Sequence, residues 1–305
     1  MKPPLNAPVP GRFSVVIPTL NEGSLLAMTT NSILGATRWP DYEILVVDDG
    51  STDGSTAGYA RYPNPRVQVL RGGGLGVARA RNLGAGHASG EYLVFIDGHC
   101  RVTPNWLEGL AQALREPDVA IAGPCFTKLH EPEPRGCGMF WANWALEQHW
   151  YEPIDGAEPY EVPLTTGACQ AFRREVFEAL GRYDDGFTRW GSEDVEICLR
   201  SWLAGGRVLV NPQVTVAHHF RESRNYKVDD VDITFNFLRM LYLHFSPPRI
   251  RRVLRELEHN PSVAPALDRL HESDVFDLRA RLHANRVAND DWFFNHINAA
   301  PLQSD

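Results

Sequence analysis

The sequence predicts an α/β protein built on a mostly parallel, doubly wound sheet and followed by a helical extension. Short apolar runs rich in β-branched residues alternate with helical patterns through the first two thirds of the chain, which is typical of parallel strands joined by helices. Polar residues follow several of these runs, at the strand ends where such sheets bind ligands. Past Tyr226 the pattern is wholly helical, with an apolar stripe made of Phe237, Leu238, Leu241, Tyr242 and Phe245.

The individual elements can be placed along the chain. Strands are expected at 13–19, 42–49, 66–70, 92–96 and 119–123, and helices at 22–35 and 76–88. Ser51 and Thr103 are expected to cap helices, the second with Pro104 at the first helical position. Prolines and aromatic residues crowd residues 128–163, so a long loop with a helical piece is expected there.

Length and charge restrict the kind of protein. The 305 residues, 43% of them hydrophobic, allow a flexible N-terminus over 1–12, one α/β domain over 13–245 and an extension over 246–305. Thirty basic residues against 38 acidic ones give a net charge of −8, which argues against a broad surface for nucleic acid or anionic lipid. No stretch approaches the ~20 apolar residues that cross a bilayer.

Five cysteines occur, an odd number, and no two form a C-x-x-C pair. This pattern argues against a disulfide framework and against a structural zinc site, and it favours a cytoplasmic location. The proline-rich N-terminus does not resemble a signal peptide.

A candidate metal site follows the strand at 92–96. Asp97 and His99 leave the strand end two positions apart, on the same side of an extended chain. A third ligand is available from His218 or His219, which face opposite ways in an extended segment, so one of the two can join. Oxygen and nitrogen donors together favour Mn²⁺ or a similar divalent ion over Mg²⁺. The alternative is an ordinary turn with its histidines bonded to backbone.

A second candidate site is the acidic start of a helix after Trp190. Glu193 and Asp194 lie in its first turn, where carboxylates also simply offset the helix dipole. Glu196 and Arg200 have the spacing of an intrahelical ion pair. In the functional interpretation, Asp194 acts as a general base or binds substrate at the mouth of a cleft.

The glycine-rich turn at 72–76 lacks the residues of a Walker loop and of a dinucleotide-binding loop. Arg79 and Arg81 on the following helix matter more, because an acidic protein that binds a diphosphate needs nearby cations. Either arginine could equally lie on a solvated helix face.

Together these motifs resemble the family 2 nucleotide-sugar glycosyltransferases of the GT-A fold. The resemblance rests on Val-Val-Ile-Pro-Thr-Leu-Asn-Glu22, Val-Val-Asp-Asp-Gly-Ser-Thr-Asp53, Ala-Arg-Asn82, Asp-Gly-His99 and Glu193-Asp194, and it spans about residues 13–245. Trp190-Gly-Ser-Glu-Asp194 and Val216-Ala-His-His-Phe-Arg221 are also similar to the polypeptide N-acetylgalactosaminyltransferases. By that alignment His218, rather than His219, is the third metal ligand.

The resemblance implies a role for each site residue. Residues 13–127 form the nucleotide-binding half and 128–245 the acceptor half, and Asp97, His99 and His218 hold Mn²⁺ or another divalent cation on the diphosphate of a UDP-sugar. In the donor site, Thr19, Glu22 and Asp49 line the nucleoside pocket, with Asp49 accepting from the uracil ring. Arg79 or Arg81 closes over the nucleoside, while Gly167 and Trp190 border the sugar.

The pair Glu193-Asp194 bears on the stereochemistry. The N-acetylgalactosaminyltransferases typically have Glu-Asn here, and an Asn cannot take a proton from a hydroxyl, whereas Asp194 can. The sequence thus favours an inverting enzyme with Asp194 as base and Glu193 on sugar hydroxyls, acting on a soluble acceptor such as a peptide, a glycan or a natural product. The alternatives are a retaining enzyme like those relatives, a catalytically silent nucleotide-sugar binding protein, and a nucleotidyltransferase, whose basic glycine-rich signature is missing near Pro18 to Glu22.

Overall fold

A computed structural model describes residues 7–154, 156, 158–221 and 226–298. Twelve strands lie within this part of the chain. They are β1 Val9–Thr19, β2 Tyr42–Asp48, β3 Val67–Arg71, β4 Gly90–Ile96, β5 Cys100–Val102, β6 Val119–Lys128, β7 Glu131–Gly136, β8 Met139–Trp141, β9 Gln148–Trp150, β10 Tyr160–Glu161, β11 Cys169–Arg173 and β12 Arg207–His218.

Eleven helices lie within the same described residues. They are α1 Ser24–Ala36, α2 Ala57–Arg61, α3 Val77–His87, α4 Trp106–Ala113, α5 Arg174–Ala179, α6 Glu193–Leu203, α7 Asp230–His244, α8 Pro247–Glu256, α9 Val263–His271, α10 Val275–Asn285 and α11 Asp290–His296.

The main sheet has the order β10-β12-β6-β11-β4-β1-β2-β3. Pairing is parallel between β1 and β2, β1 and β4, β2 and β3, and β6 and β12. The prediction of a mostly parallel sheet is confirmed, although β11 runs antiparallel between β4 and β6. Because β1, β2 and β4 run the same way, the residues that follow them meet at one edge of the sheet.

Both faces of the sheet are covered, as expected for a doubly wound architecture. Along β1, Val16 packs into one hydrophobic cluster while Val15 and Ile17 pack into another, because successive strand residues point to opposite faces. The second cluster includes apolar residues of α1 and α4, and the first includes those of α3, α6 and the C-terminal helices.

Some local predictions were wrong. Ser51 caps no helix: its Oγ accepts a hydrogen bond from the backbone N–H of Asn21, and α2 begins later. Thr103 does not cap α4, since its hydroxyl donates to the carbonyl of Thr215 and the N-cap position falls on Asn105. Strand β1 also begins at Val9, inside the segment expected to be flexible, of which residues 1–6 lie outside the described part.

The segment 128–163 forms short strands, β7 to β10, and no helix among its described residues. A disulfide joins Cys125 to Cys137 at its start, so the argument against disulfides was wrong for this pair. The cytoplasmic location was predicted from that same argument, so the disulfide weakens the basis of that prediction. The other cysteines, Cys100, Cys169 and Cys198, are buried thiols.

The C-terminal helices pack on the sheet domain as part of its core. Trp141 of β8 is buried and contacts Phe293 and Phe294 of α11. The side chain of Asn298 accepts from the N–H of Trp141 and donates to its carbonyl. The predicted helical extension is thus present and holds β8 in place. Across the described residues, no helix combines the length and apolar character that a bilayer span requires.

Candidate active site

Three potential metal ligands converge at the carboxyl edge of the sheet. Asp97 and His99 follow β4, and His218 is the last residue of β12, where it pairs with Cys100 of β5. One ligand atom from each side chain lies within 4.8 Å of the others. The sequence predicted this group, and of the two adjacent histidines it is His218 that joins it.

The electrostatics of the cluster suit a cation. Burial alone would raise the pKa of Asp97, but the neighbouring His218, His99 and Arg81 outweigh it and hold that pKa well below its usual range. Burial lowers the pKa of His218, which favours the neutral imidazole that metals bind. Both ring nitrogens of His218 are buried and make no hydrogen bond of normal length to a described residue, the nearest carboxylate oxygen being Asp97 Oδ2 at 3.6 Å from Nε2. A bound cation would satisfy such a side chain.

The carboxylate of Glu22 contacts His99 of the metal cluster. Its Oε2 lies 3.1 Å from His99 Nδ1 and also accepts from the guanidinium of Arg221. The resemblance placed Glu22 near the nucleoside, and it does line that cavity. Of its two contacts, His99 belongs to the metal cluster and Arg221 lines the same cavity.

A cavity of about 230 Å³ opens beside the cluster, at the ends of β1 and β2. Thr19, Glu22 and Asp49 line it as predicted, and the buried Oγ1 of Thr19 has no hydrogen-bond partner among the described residues. Its cations among the described residues are Arg189, Arg221 and Lys227, and none of them was predicted to line it. They come from two loops far along the sequence. Only Arg221 lies in one of the motifs that carry the resemblance.

The glycine-rich turn at 72–76 wraps the carboxylate of Asp49. Asp49 Oδ1 accepts from the N–H groups of Gly74 and Leu75 at 2.9 and 2.6 Å, and Oδ2 accepts from that of Gly76 at 2.8 Å. A Cβ at Gly72 would lie 2.8 Å from Asp49 Oδ1, so the turn needs glycine there. The structure thus assigns the turn a local task, and the contact of Asp49 with uracil stays a prediction.

Arg81 and Arg79 differ in burial and in their contacts. Arg81 is buried, donating to Glu193 Oε1 at 2.8 Å, to the carbonyl of Gly167 at 2.9 Å and to Asp97 Oδ1 at 3.3 Å. It therefore braces the acidic groups and does not line the nucleoside cavity. Arg79 is exposed and donates to the carbonyl of Asp185, so the expectation that it closes over the nucleoside was wrong.

A second cavity, of about 510 Å³, lies on the other side of the metal cluster. Glu193, Asp194 and Gly167 line it. Asp194 Oδ2 accepts from the N–H of Gly167 at 2.7 Å. A Cβ at Gly167 would lie 2.9 Å from the Cβ of Asp194 and 2.8 Å from Arg81 Nη2. Gly167 is thus closely packed against Asp194 and Arg81, and its predicted approach to the sugar stays a prediction.

Glu193 is a buried carboxyl whose ionisation is finely balanced. Burial and the neighbouring charge of Asp194 raise its pKa, the guanidinium of Arg81 opposes them, and the result is a pKa of about 7. Its second oxygen accepts from the N–H of Gly191. A carboxyl that changes charge near neutral pH lies at the edge of the second cavity, a frequent feature of functional sites.

Glu196 and Arg200 of α6 make structural contacts. Arg200 donates to Glu196 at 2.7 Å, and His244 of α7 contacts the other oxygen of Glu196 at 2.7 Å. Burial would raise the pKa of Glu196, but Arg200 and His244 hold it at about 2. The predicted ion pair within α6 is confirmed, and the contact between Glu196 and His244 joins α6 to α7.

The tryptophans lie in different parts of the molecule. Trp190 is partly exposed and lines both cavities. Trp150 stacks its edge on Phe220, which lines the second cavity. By contrast, Trp141 is core, Trp144 lies near Arg249, and Trp292 lines a separate groove.

The C-terminal extension reaches the second cavity, a contribution that the sequence did not reveal. Leu257, at the end of α8, and Asn260, in the following turn, line this cavity together with Asp194 and Trp190. The sequence could not predict this contact, because the helical pattern does not indicate which end of a helix meets the sheet domain.

Comparisons with known families match this arrangement. The family described as glycosyl transferase family 2 matches residues 14–181, which include Asp97 and His99. The family described as N-terminal domain of galactosyltransferase matches residues 155–223, which include Asp194 and His218. The two spans together hold the metal cluster and the acidic pair.

Two curated relatives illustrate the similarity. Polypeptide N-acetylgalactosaminyltransferase 11 of Xenopus tropicalis is 31% identical over 93% of this chain and 50% of its own length. Inactive polypeptide N-acetylgalactosaminyltransferase-like protein 5 of Macaca fascicularis is 31% identical over 75% of this chain and 56% of its own length. The chain thus spans about half the length of the curated relatives it matches.

A solved structure shares the fold. GalNAc-T7, crystallised with UDP, GalNAc and Mn²⁺, superposes with a TM-score of 0.79 at 24% identity, covering 94% of this chain and 56% of the other. The fold is therefore GT-A, as the sequence predicts. Since the first family model matches more than half of the residues, the chain belongs to glycosyl transferase family 2.

Proposed function

We propose that this protein transfers a sugar from a UDP-sugar to a hydroxyl group of a soluble acceptor, with inversion at the anomeric carbon and with a divalent metal ion. One observation carries the proposal: the Asp97–His99–His218 cluster lies between two cavities, one lined by Thr19 and Asp49 and the other by the acidic pair. A donor and an acceptor can therefore meet at the cluster.

The residues fit a manganese ion. A carboxylate and two imidazoles form a mixed oxygen and nitrogen donor set, which suits Mn²⁺ better than Mg²⁺. Asp97, His99 and His218 would hold the ion, and the orphaned nitrogens of His218 support this assignment. When bound, such an ion neutralises the negative charge that grows on a departing diphosphate.

The protein's own groups bind and orient the donor. The unpartnered hydroxyl of Thr19 and the carboxylate of Asp49 face the cavity in which the nucleoside would lie. Arg189 and Lys227 line the same cavity and supply positive charge for phosphate oxygens, which an acidic protein must concentrate locally. These two cations take the place proposed from the sequence for Arg79.

Asp194 would act as the base. It is half-buried at the wall of the second cavity, and the N–H of Gly167 fixes its carboxylate. In the reaction, the acceptor hydroxyl gives its proton to Asp194 while its oxygen bonds to the anomeric carbon. The bond from that carbon to the diphosphate breaks, and UDP leaves with the electron pair. Glu193, held by Arg81, is positioned beside the transferred sugar.

Two alternatives have specific support. Both oxygens of Asp194 accept backbone N–H groups, from Gly167 and Val195, and this also suits a positioning role in a retaining enzyme. A silent binding protein is the other alternative, since one relative is named inactive. The names of the relatives make peptides the first acceptor to test. A cytoplasmic location is a separate proposal, which cell fractionation would test.

The first prediction concerns the metal. Chelation with EDTA should abolish release of UDP from UDP-sugars, and added Mn²⁺ should restore it. His99→Ala and His218→Ala should each lower the rate by more than about tenfold, because each removes a ligand. The matched control is His219→Ala, which changes the adjacent imidazole and should leave the rate nearly unchanged. Full activity of the wild type in EDTA would contradict the metal assignment.

The second prediction concerns Asp194. Asp194→Asn keeps the size of the side chain and removes the proton acceptor, so transfer should fall by about 10²–10⁴-fold. UDP binding, measured by calorimetry, should persist in the same variant. NMR of the product formed by the wild type from an α-linked donor should identify a β-glycoside. An α-linked product, or near-normal transfer by the variant, would favour the retaining alternative.

A further inference from the structure

The carboxylate of Glu22 joins two segments that are distant in sequence. Glu22 is 7% exposed and follows β1, whereas its partners His99 and Arg221 follow β4 and β12. One oxygen, Oε2, meets both His99 Nδ1, at 3.1 Å, and the guanidinium of Arg221. Gly98 packs so closely that a Cβ there would lie 3.0 Å from Glu22 Cγ. The carboxylate is therefore confined from three sides.

This contact determines which nitrogen of His99 is free. A neutral imidazole carries one N–H, and a carboxylate at Nδ1 draws that proton to Nδ1. The lone pair is then on Nε2, which lies 3.9 Å from Asp97 Oδ2 on the side of the cluster. Without such a partner, either nitrogen could carry the proton and the ring could turn.

We propose that Glu22 is a positioning residue that holds His99 with Nδ1 protonated, so that Nε2 is presented to the metal ion. The inference rests on the proposed metal-dependent function and assigns a task to Glu22 that differs from contact with the nucleoside. Outer partners of metal-bound histidines typically matter about 10–100-fold for metal affinity. Arg221 shares the same oxygen and restrains Glu22 against rotation away from the ring.

The first test needs no metal and no activity. Long-range ¹H–¹⁵N correlation spectra of the full-length chain, recorded where the imidazoles are neutral, identify which ring nitrogen carries the proton. His99→Ala assigns the His99 signals by their loss. The wild type should have Nδ1 protonated at His99, and Glu22→Ala should lose that state. Nε2 protonated in the wild type would overturn the proposal.

The second test is Mn²⁺ affinity, followed by the electron paramagnetic resonance of free Mn²⁺. Glu22→Ala should weaken binding by about 10–100-fold. Glu22→Gln keeps an oxygen that can accept both hydrogen bonds, and it should lie between Glu22→Ala and wild type. The control is Glu43→Gln, which changes a half-buried carboxylate that accepts from Ser14 and Ser89 at the other end of the sheet and should not alter affinity.

The outcomes separate this inference from the proposed function. Unchanged affinity in Glu22→Ala, or a loss in Glu22→Gln as large as in Glu22→Ala, would overturn the assignment even in an active enzyme. A wild type that binds Mn²⁺ with His99 protonated at Nδ1, yet releases no UDP from any UDP-sugar, would overturn the proposed function and support the inference.

Discussion

The charge state and position of each buried charged side chain at the site depend on a few neighbouring groups. Arg81 bonds to Glu193, Gly167 and Asp97 at once, so it links the acidic pair to the metal cluster. Burial and the charge of Asp194 raise the pKa of Glu193 to about 7, against the opposing charge of Arg81. Its protonation should therefore follow pH in a range that is easily studied.

We predict that Glu193 makes the stability of the protein depend on pH. Its pKa rises from the usual 4.5 to about 7 on folding, so the folded state binds a proton more tightly than the unfolded state. That stabilisation is complete below pH 4.5 and is lost as the pH rises through 7. Urea unfolding should give a slope of up to about 1.4 kcal/mol per pH unit between these values, and Glu193→Gln should remove it. Parallel profiles for the two proteins would contradict the prediction.

Site residues in short motifs could be predicted from the sequence. Which residues of a helix face the site could not. Asp97 and His99 were found because a strand end fixes where their side chains emerge, and His218 was chosen over His219 by the family resemblance. Arg79 and Arg81 are two positions apart on α3, and at ~100° per residue they point to nearly opposite sides. Nothing in the sequence indicates which of these two sides faces the site. The cations Arg189 and Lys227 were missed because loops bring them from afar.

At the scale of elements, prediction succeeded where burial is regular. The strands β1, β2 and β4 are apolar runs buried on both faces, and α6 keeps an apolar stripe, so period and length identified them. The strands β8 to β10 span only two or three residues each, too few to establish a period, and β7 contains two prolines. The antiparallel β11 was missed because its neighbours β4 and β6, which are distant in sequence, decide its place and direction.

The end of α8 leads to a prediction about the acceptor. Leu257 and Leu254, one turn earlier, both pack against the core, and of the two it is Leu257 that lines the second cavity. Leu257→Ala should raise the KM for acceptor by about fivefold, the effect of losing ~1 kcal/mol of apolar contact. Leu254→Ala is the control for a general effect on the helix. UDP release without acceptor should be equal in all three proteins, and a change there would contradict a role limited to the acceptor.

Across the whole molecule, the extension and the sheet domain share one core. Arg239 of α7 is fully buried and bonds to Asp184 through two nitrogens and to Asp274, before α10, at 2.8 Å. A chain cut at residue 245 would lose the Asp274 contact and expose Trp141. The boundary proposed at 245 and 246 therefore separates two patterns of sequence within one folding unit.

The wall shared by the two cavities has a consequence for the order of events. Asp97 and Trp190 line both cavities, so a sugar attached to a nucleotide in the first must extend past them into the second. An acceptor already in place would block that path, and we expect an ordered mechanism with the donor first and UDP leaving last. Product inhibition by UDP should then be competitive against the donor, and calorimetry should detect acceptor binding only when UDP is present. Equal acceptor binding to the free enzyme would indicate that the two substrates enter independently.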